Sequence, residues 1–78
     1  MAVAVRHMTR ARALAHVARA VEFHRAWAES YSLKGDHSGA ACARGSMATA
    51  QRDLIYLRRG GNWRLIETTY PYTSYRQY

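Results

Sequence analysis

The sequence predicts an α+β fold in which two helices pack on one face of a small antiparallel sheet built around a C-terminal β-hairpin. Three observations lead there. Apolar residues recur at helical spacing from Thr9 to about Ser32 and again over 39–51, and the period shortens after Asp53. Gly60 and Gly61 then separate two short apolar runs, as a hairpin turn would. The 78 residues fit one small domain, 1–78, with a thin core, because a chain of this size buries only roughly 60–65% of its unfolded surface.

Residues 3–6 read as a short strand, since Val3 and Val5 alternate with Ala4 and Arg6. Thr9 is a fitting N-cap for the first helix. Steps of 100° place Ala13, Val17, Ala20, Val21, Trp27, Ala28 and Tyr31 on one broad face, with Arg12, Arg19, Glu22, Arg25, Glu29 and Ser30 opposite. That solvated face mixes signs through Glu22, Arg25 and Glu29 at contact spacing. Turn formers crowd 32–39, where Gly35 suits a helix C-terminus and Asp36 or Ser38 the next N-cap. A second helix follows over 39–51, with Ala40, Ala43, Met47 and Ala50 on a face of small side chains and Gly45 weakening its middle by about 1 kcal/mol.

Beyond it, 54–57 and 63–66 read as paired strands. With Gly60 and Gly61 as the loop, Arg58 faces Trp63, Tyr56 faces Leu65 and Ile55 faces Ile66, giving one cation–π pair and two apolar pairs. Residues 70–78 carry four of the six tyrosines. Pro71 confines that stretch to an edge strand or an extended tail.

Eleven of the twelve basic residues are arginine against five acids, a formal charge of +7 that calls for an anionic partner. The same bias, with fourteen alanines, is also what a GC-rich coding sequence produces. Residues 1–20 hold Arg6, Arg10, Arg12 and Arg19 and no acid before Glu22, which is the composition of an organellar presequence. The stretch is read instead as part of the fold. No apolar run reaches the length of a membrane span, and the single cysteine excludes an intramolecular disulfide framework, so a reduced cytoplasmic setting and no membrane partner are expected.

The conventional chemical motifs do not occur. His7, His16, His24 and His37 have no zinc-ligand spacing, so no metal is expected, and His24 on the apolar helix face reads as a core histidine bonded to the second helix or the sheet. Cys42, between Ala41 and Ala43, reads as helix packing. There is no phosphate-binding glycine loop, no nucleophile elbow and no evident carboxylate pair. Neither a cofactor nor a catalytic residue is expected. Metal-free RNA cleavage stands apart, because arginine, histidine and tyrosine alone can stabilise a phosphorane and move a proton.

Arg58, Arg59, Gly60, Gly61, Asn62, Trp63, Arg64, Leu65 and Ile66, in the order strand, helix, helix, hairpin, resemble the RelE/ParE toxin superfamily, whose sheet often contains an Arg-x-Gly-Asp-Tyr-Arg-type hairpin. The resemblance covers about ten residues of the chain. Here there is an extra glycine, tryptophan stands for the usual tyrosine, and the chain is shorter. It implies ribonuclease activity with Arg58, Arg64, Arg76 and Tyr75 or Tyr78 as catalytic candidates.

The reading adopted from the residues themselves is a small basic non-enzymatic binding protein engaging a nucleoprotein complex or nucleic acid. Its surface would be Arg52, Arg58, Arg59, Trp63, Arg64, Tyr70, Tyr72, Tyr75, Arg76 and Tyr78. Cations track phosphates and aromatic faces stack on bases, while Tyr, Trp and Arg serve protein interfaces equally well. Small one-domain chains without motifs are typical of phage or mobile-element inhibitors such as anti-CRISPR proteins, which would place this one in the host cytoplasm. The alternatives are the toxin and a homo-oligomeric accessory protein, with a homodimer held by the aromatic tail.

Overall fold

A computed structural model describes residues 2–71. The chain runs through a short strand β1 (Ala2–Ala4), a 3-10 turn at Val5–His7, helix α1 (Arg10–Leu33), helix α2 (His37–Arg58), a second 3-10 turn at Trp63–Leu65, and a short strand β2 (Thr69–Pro71). The two long helices form an antiparallel hairpin that dominates the structure.

α1 begins where its cap residue stands: the Thr9 hydroxyl accepts the amide of Arg12 at 3.3 Å. It ends at Gly35, whose φ of +76° suits a residue without Cβ. There the amide of Gly35 donates to the Ser32 carbonyl at 3.0 Å and that of Asp36 to the Tyr31 carbonyl at 2.9 Å, the paired bonds of a Schellman cap. The Asp36 carboxylate then accepts the Gly39 amide at 2.8 Å and starts α2. One residue thus closes the first helix cap while its side chain opens the next.

The expected β-hairpin does not form, and with it the α+β class gives way to a mainly helical fold. α2 runs on through Leu54, Ile55, Tyr56 and Leu57 to Arg58. Ala43, Ala50, Leu54 and Leu57 are all buried, continuing the face of small residues at helical spacing, whereas Ile55 and Tyr56 are exposed. A four-residue apolar run fits either period, and here burial against α1 selects the helix. Gly60 follows the C-cap Arg59 of α2 and takes φ +91°. Its amide meets the Leu57 carbonyl at 3.1 Å and that of Gly61 meets the Tyr56 carbonyl at 2.9 Å, the same cap as at Gly35. None of the expected cross-strand pairs is made; Arg64 rather than Arg58 covers the Trp63 ring, 4.8 Å from its centroid.

Among the described residues, the strand pairing is one three-residue antiparallel ladder joining segments 2–4 and 69–71, with Ala2 opposite Pro71, Val3 opposite Tyr70 and Ala4 opposite Thr69. It is a strap laid on the helices, not a sheet on which they pack. Of the stretch read as an edge strand or extended tail, Tyr70 and Pro71 belong to β2, and 72–78 lie outside the described residues. Val5, Ile66 and Tyr70 from the strap segments join Ala13, Val17, Ala20, Val21, Ala50, Leu54 and Leu57 in the core. Nearer the 34–36 turn, between residues 22 and 49, the buried apolar positions are alanines: Ala28, Ala40 and Ala43.

Candidate nucleic-acid interface

An antiparallel hairpin brings the start of α1 and the end of α2 to the same end of the molecule, and Arg10 joins them. Its guanidinium donates to the Gly61 carbonyl at 2.7 Å and the Leu57 carbonyl at 2.5 Å. The cation lies where the carbonyls at a helix C-terminus concentrate partial negative charge, so both the hydrogen bonds and the dipole favour it there. The Trp63 indole N–H donates to the Met8 carbonyl at 2.7 Å and fixes the second 3-10 turn against the first. Asn62 caps that turn by accepting the Arg64 amide at 3.0 Å.

Charge is divided unequally between the two halves of the hairpin. Segments 2–19 and 51–71 form the open end and hold Arg6, Arg10, Arg12, Arg19, Arg52, Arg58, Arg59 and Arg64 against Asp53 and Glu67. Residues 20–50, at the turn end, hold Arg25, Lys34 and Arg44 against Glu22, Glu29 and Asp36. One half is therefore strongly cationic and the other balanced. All the open-end arginines except Arg10 are exposed. The one ion pair among the described residues, Arg25 to Glu22 at 2.5 Å, lies in the turn half. Exposed cations without carboxylate partners raise the local potential and lower the cost of bringing a phosphate chain close.

The structure distributes the expected surface residues unevenly. Arg52 is exposed on the last third of α2, while Arg58 and Arg59 stand at its end. Arg64 lies over the half-buried Trp63, a cation–π arrangement that holds the guanidinium at the surface. Tyr70 is turned inward and only 2% exposed, its hydroxyl donating to the Asp53 carboxylate, so it serves the core and offers no contact surface. Tyr72, Tyr75, Arg76 and Tyr78 lie outside the described residues. Arg6, Arg10 and Arg12 were absent from the expected surface. The acid-free 1–20 segment carried their signal, but only the antiparallel return of α2 brings them to Arg58 and Arg59.

Burial holds the Tyr70 hydroxyl protonated well above the usual tyrosine range, with the Asp53 hydrogen bond acting in the same direction. The His16 ring meets the Tyr70 ring edge-on at 6.1 Å between centroids, and its Nε2 is buried without a hydrogen-bond partner. Burial, then the charge of Arg19, lowers its proton affinity. His24 is half-buried against Phe23 at 5.3 Å, and burial lowers its proton affinity too. Cys42 is exposed rather than packed, because Ala40 and Ala43 take the buried positions of that turn. Among the described residues no three histidine, cysteine or carboxylate side chains converge as a metal site would require. No described helix is long and apolar enough to cross a membrane.

No known protein family, curated protein or solved structure matches this chain. The likeness to the RelE/ParE toxins rested on a hairpin, and residues 58–66 instead form a helix end, a capped turn and a 3-10 turn. Of the toxin's candidate residues, Arg58 and Arg64 share the open end, whereas Tyr75, Arg76 and Tyr78 lie outside the described residues.

Proposed function

We propose that this protein is a non-catalytic binding module that engages nucleic acid through the open end of its helical hairpin. The observation that carries the reading is the charge division: seven exposed arginines share one half of the molecule and make no ion pair among the described residues. A binding surface of this kind needs no base-edge readout to hold a phosphate backbone, and affinity without strong sequence preference is its natural output. Tyr56, packed against Gly61 but 41% exposed and one turn before Arg59 at the end of α2, adds an aromatic ring on which an unpaired base can rest, which favours single strands over duplex.

The test is capture of partners from a host lysate by the tagged protein, with and without nuclease, beside a variant carrying Arg58→Gln, Arg59→Gln and Arg64→Gln. Nucleic acid recovered by the native chain, lost on nuclease treatment and depleted in the variant, is the expected result. A protein complex that survives nuclease and still binds the native chain would instead assign the same end to the protein part of a nucleoprotein, as an inhibitor would use it. Equal nucleic-acid recovery by the variant would remove the 58–64 segment from the interface.

A further inference from the structure

Among the described residues, the strap lies on one face of the hairpin, and the opposite face is lined by α1 and α2 alone. Two shallow grooves of about 390 and 550 Å³ run along it. Their apolar parts are Ala18, Val21, Ala28, Leu33, Met47, Leu54 and Ile55, of which Leu33 is 89% and Ile55 50% exposed. Charge on this face is sorted by helix. α1 contributes Glu22 and Glu29 with Arg25 between them, and α2 contributes Arg44 and Arg58. The exposed 3.1 Å bond from Arg44 to Ser32 brings the Arg44 guanidinium within about one helical turn of Glu29 along the hairpin.

We propose that this face binds a second copy of the chain about a two-fold axis parallel to the helices, forming a four-helix bundle. Such an axis preserves height and sets α1 of each copy over α2 of the other. Glu29 then meets the partner's Arg44 twice by symmetry, and the partner's Ile55 lies over the groove floor at Ala18 and Val21. Glu22 is already paired with Arg25 on its own helix, so the complementarity that selects a second copy is that of Glu29 with Arg44, a pair the two-fold makes twice, whereas a phosphate chain laid on this face would meet Glu29. The two cationic ends come to lie side by side at one end of the bundle. Their mutual repulsion opposes association and is weakened, not removed, by salt, because the screening length of about 8 Å is close to the spacing of packed helices.

Sedimentation equilibrium of the full chain and of two charge reversals tests this. The native chain should sediment at twice its 8.9 kDa mass. Glu29→Arg alone and Arg44→Glu alone should each dissociate at least about tenfold more readily, with unchanged helical circular dichroism because both sites are exposed. An equimolar mixture of the two variants should recover the dimer, because each reversed charge then meets an opposite one across the interface. That recovery also shows that both variants fold. A native chain that stays monomeric up to about 100 µM, single variants that dimerise like the native chain, or a mixture that stays monomeric would each overturn the proposal.

Discussion

Tyr70 and Asp53 show how one polar contact anchors the strap that closes the core. The tyrosine ring fills the core and its hydroxyl reaches the carboxylate on α2, 17 residues away in sequence. Tyr70→Phe keeps the ring and removes the donor, leaving a half-buried carboxylate without this partner; it should lower stability by about 1–2 kcal/mol. Urea unfolding checks it, with a lower midpoint at unchanged slope. His16, against the same ring, gives the fold a pH dependence of known sign. Its folded-state proton affinity lies below that of the unfolded chain, whose reference value is 6.5, so its contribution is complete above that value and is lost as pH falls through the lower folded value. His24 contributes in the same direction. The urea midpoint should therefore drop as pH is lowered from neutrality past the unfolded-state value of 6.5, and His16→Phe with His24→Phe should flatten that part of the profile. An equally steep profile in the double variant would sink this account. Neither effect was legible in the sequence, where Tyr70 looked like part of an aromatic tail, because the contact joins distant residues.

At the scale of the elements, one motif was read correctly at one place and misread at another for the same reason. Gly35 and Asp36 were recognisable as a helix end followed by an N-cap because helical patterns flank them on both sides. Gly60 and Gly61 make an identical cap, but the short run Leu54, Ile55, Tyr56, Leu57 before them suits a strand as well as a helix. Only the buried positions at 43, 50, 54 and 57 distinguish the two, and they acquire meaning once α1 lies alongside. The glycines discriminate experimentally. Gly60→Ala puts a Cβ at φ +91° with no clash to relieve or worsen it, so the cost should be the left-handed strain alone, about 1–2 kcal/mol. Gly45→Ala, in the middle of α2 with open space around it, should instead gain about 1 kcal/mol. Thermal melts of the two variants should move in opposite directions, and a rise for Gly60→Ala would contradict the cap.

At the scale of the whole molecule, topology turns a diffuse excess of arginine into an oriented one. The net charge was plain in the composition, and so were Arg52, Arg58, Arg59 and Arg64 as candidates. What composition could not show is that the N-terminal arginines return to the same end and that the carboxylates of the turn half balance their neighbours. Whether this end holds a phosphate backbone is tested by the salt dependence of the protein's affinity for a fluorescent single-stranded oligonucleotide. The logarithm of the binding constant should fall linearly with the logarithm of salt concentration. Replacing Arg58, Arg59 and Arg64 with glutamine should reduce that slope by about 2, at roughly 0.7 per phosphate contact, while Lys34→Gln at the turn end leaves it unchanged. A slope near zero for the native chain, or one that Lys34→Gln and the triple variant reduce alike, would contradict the oriented cationic end.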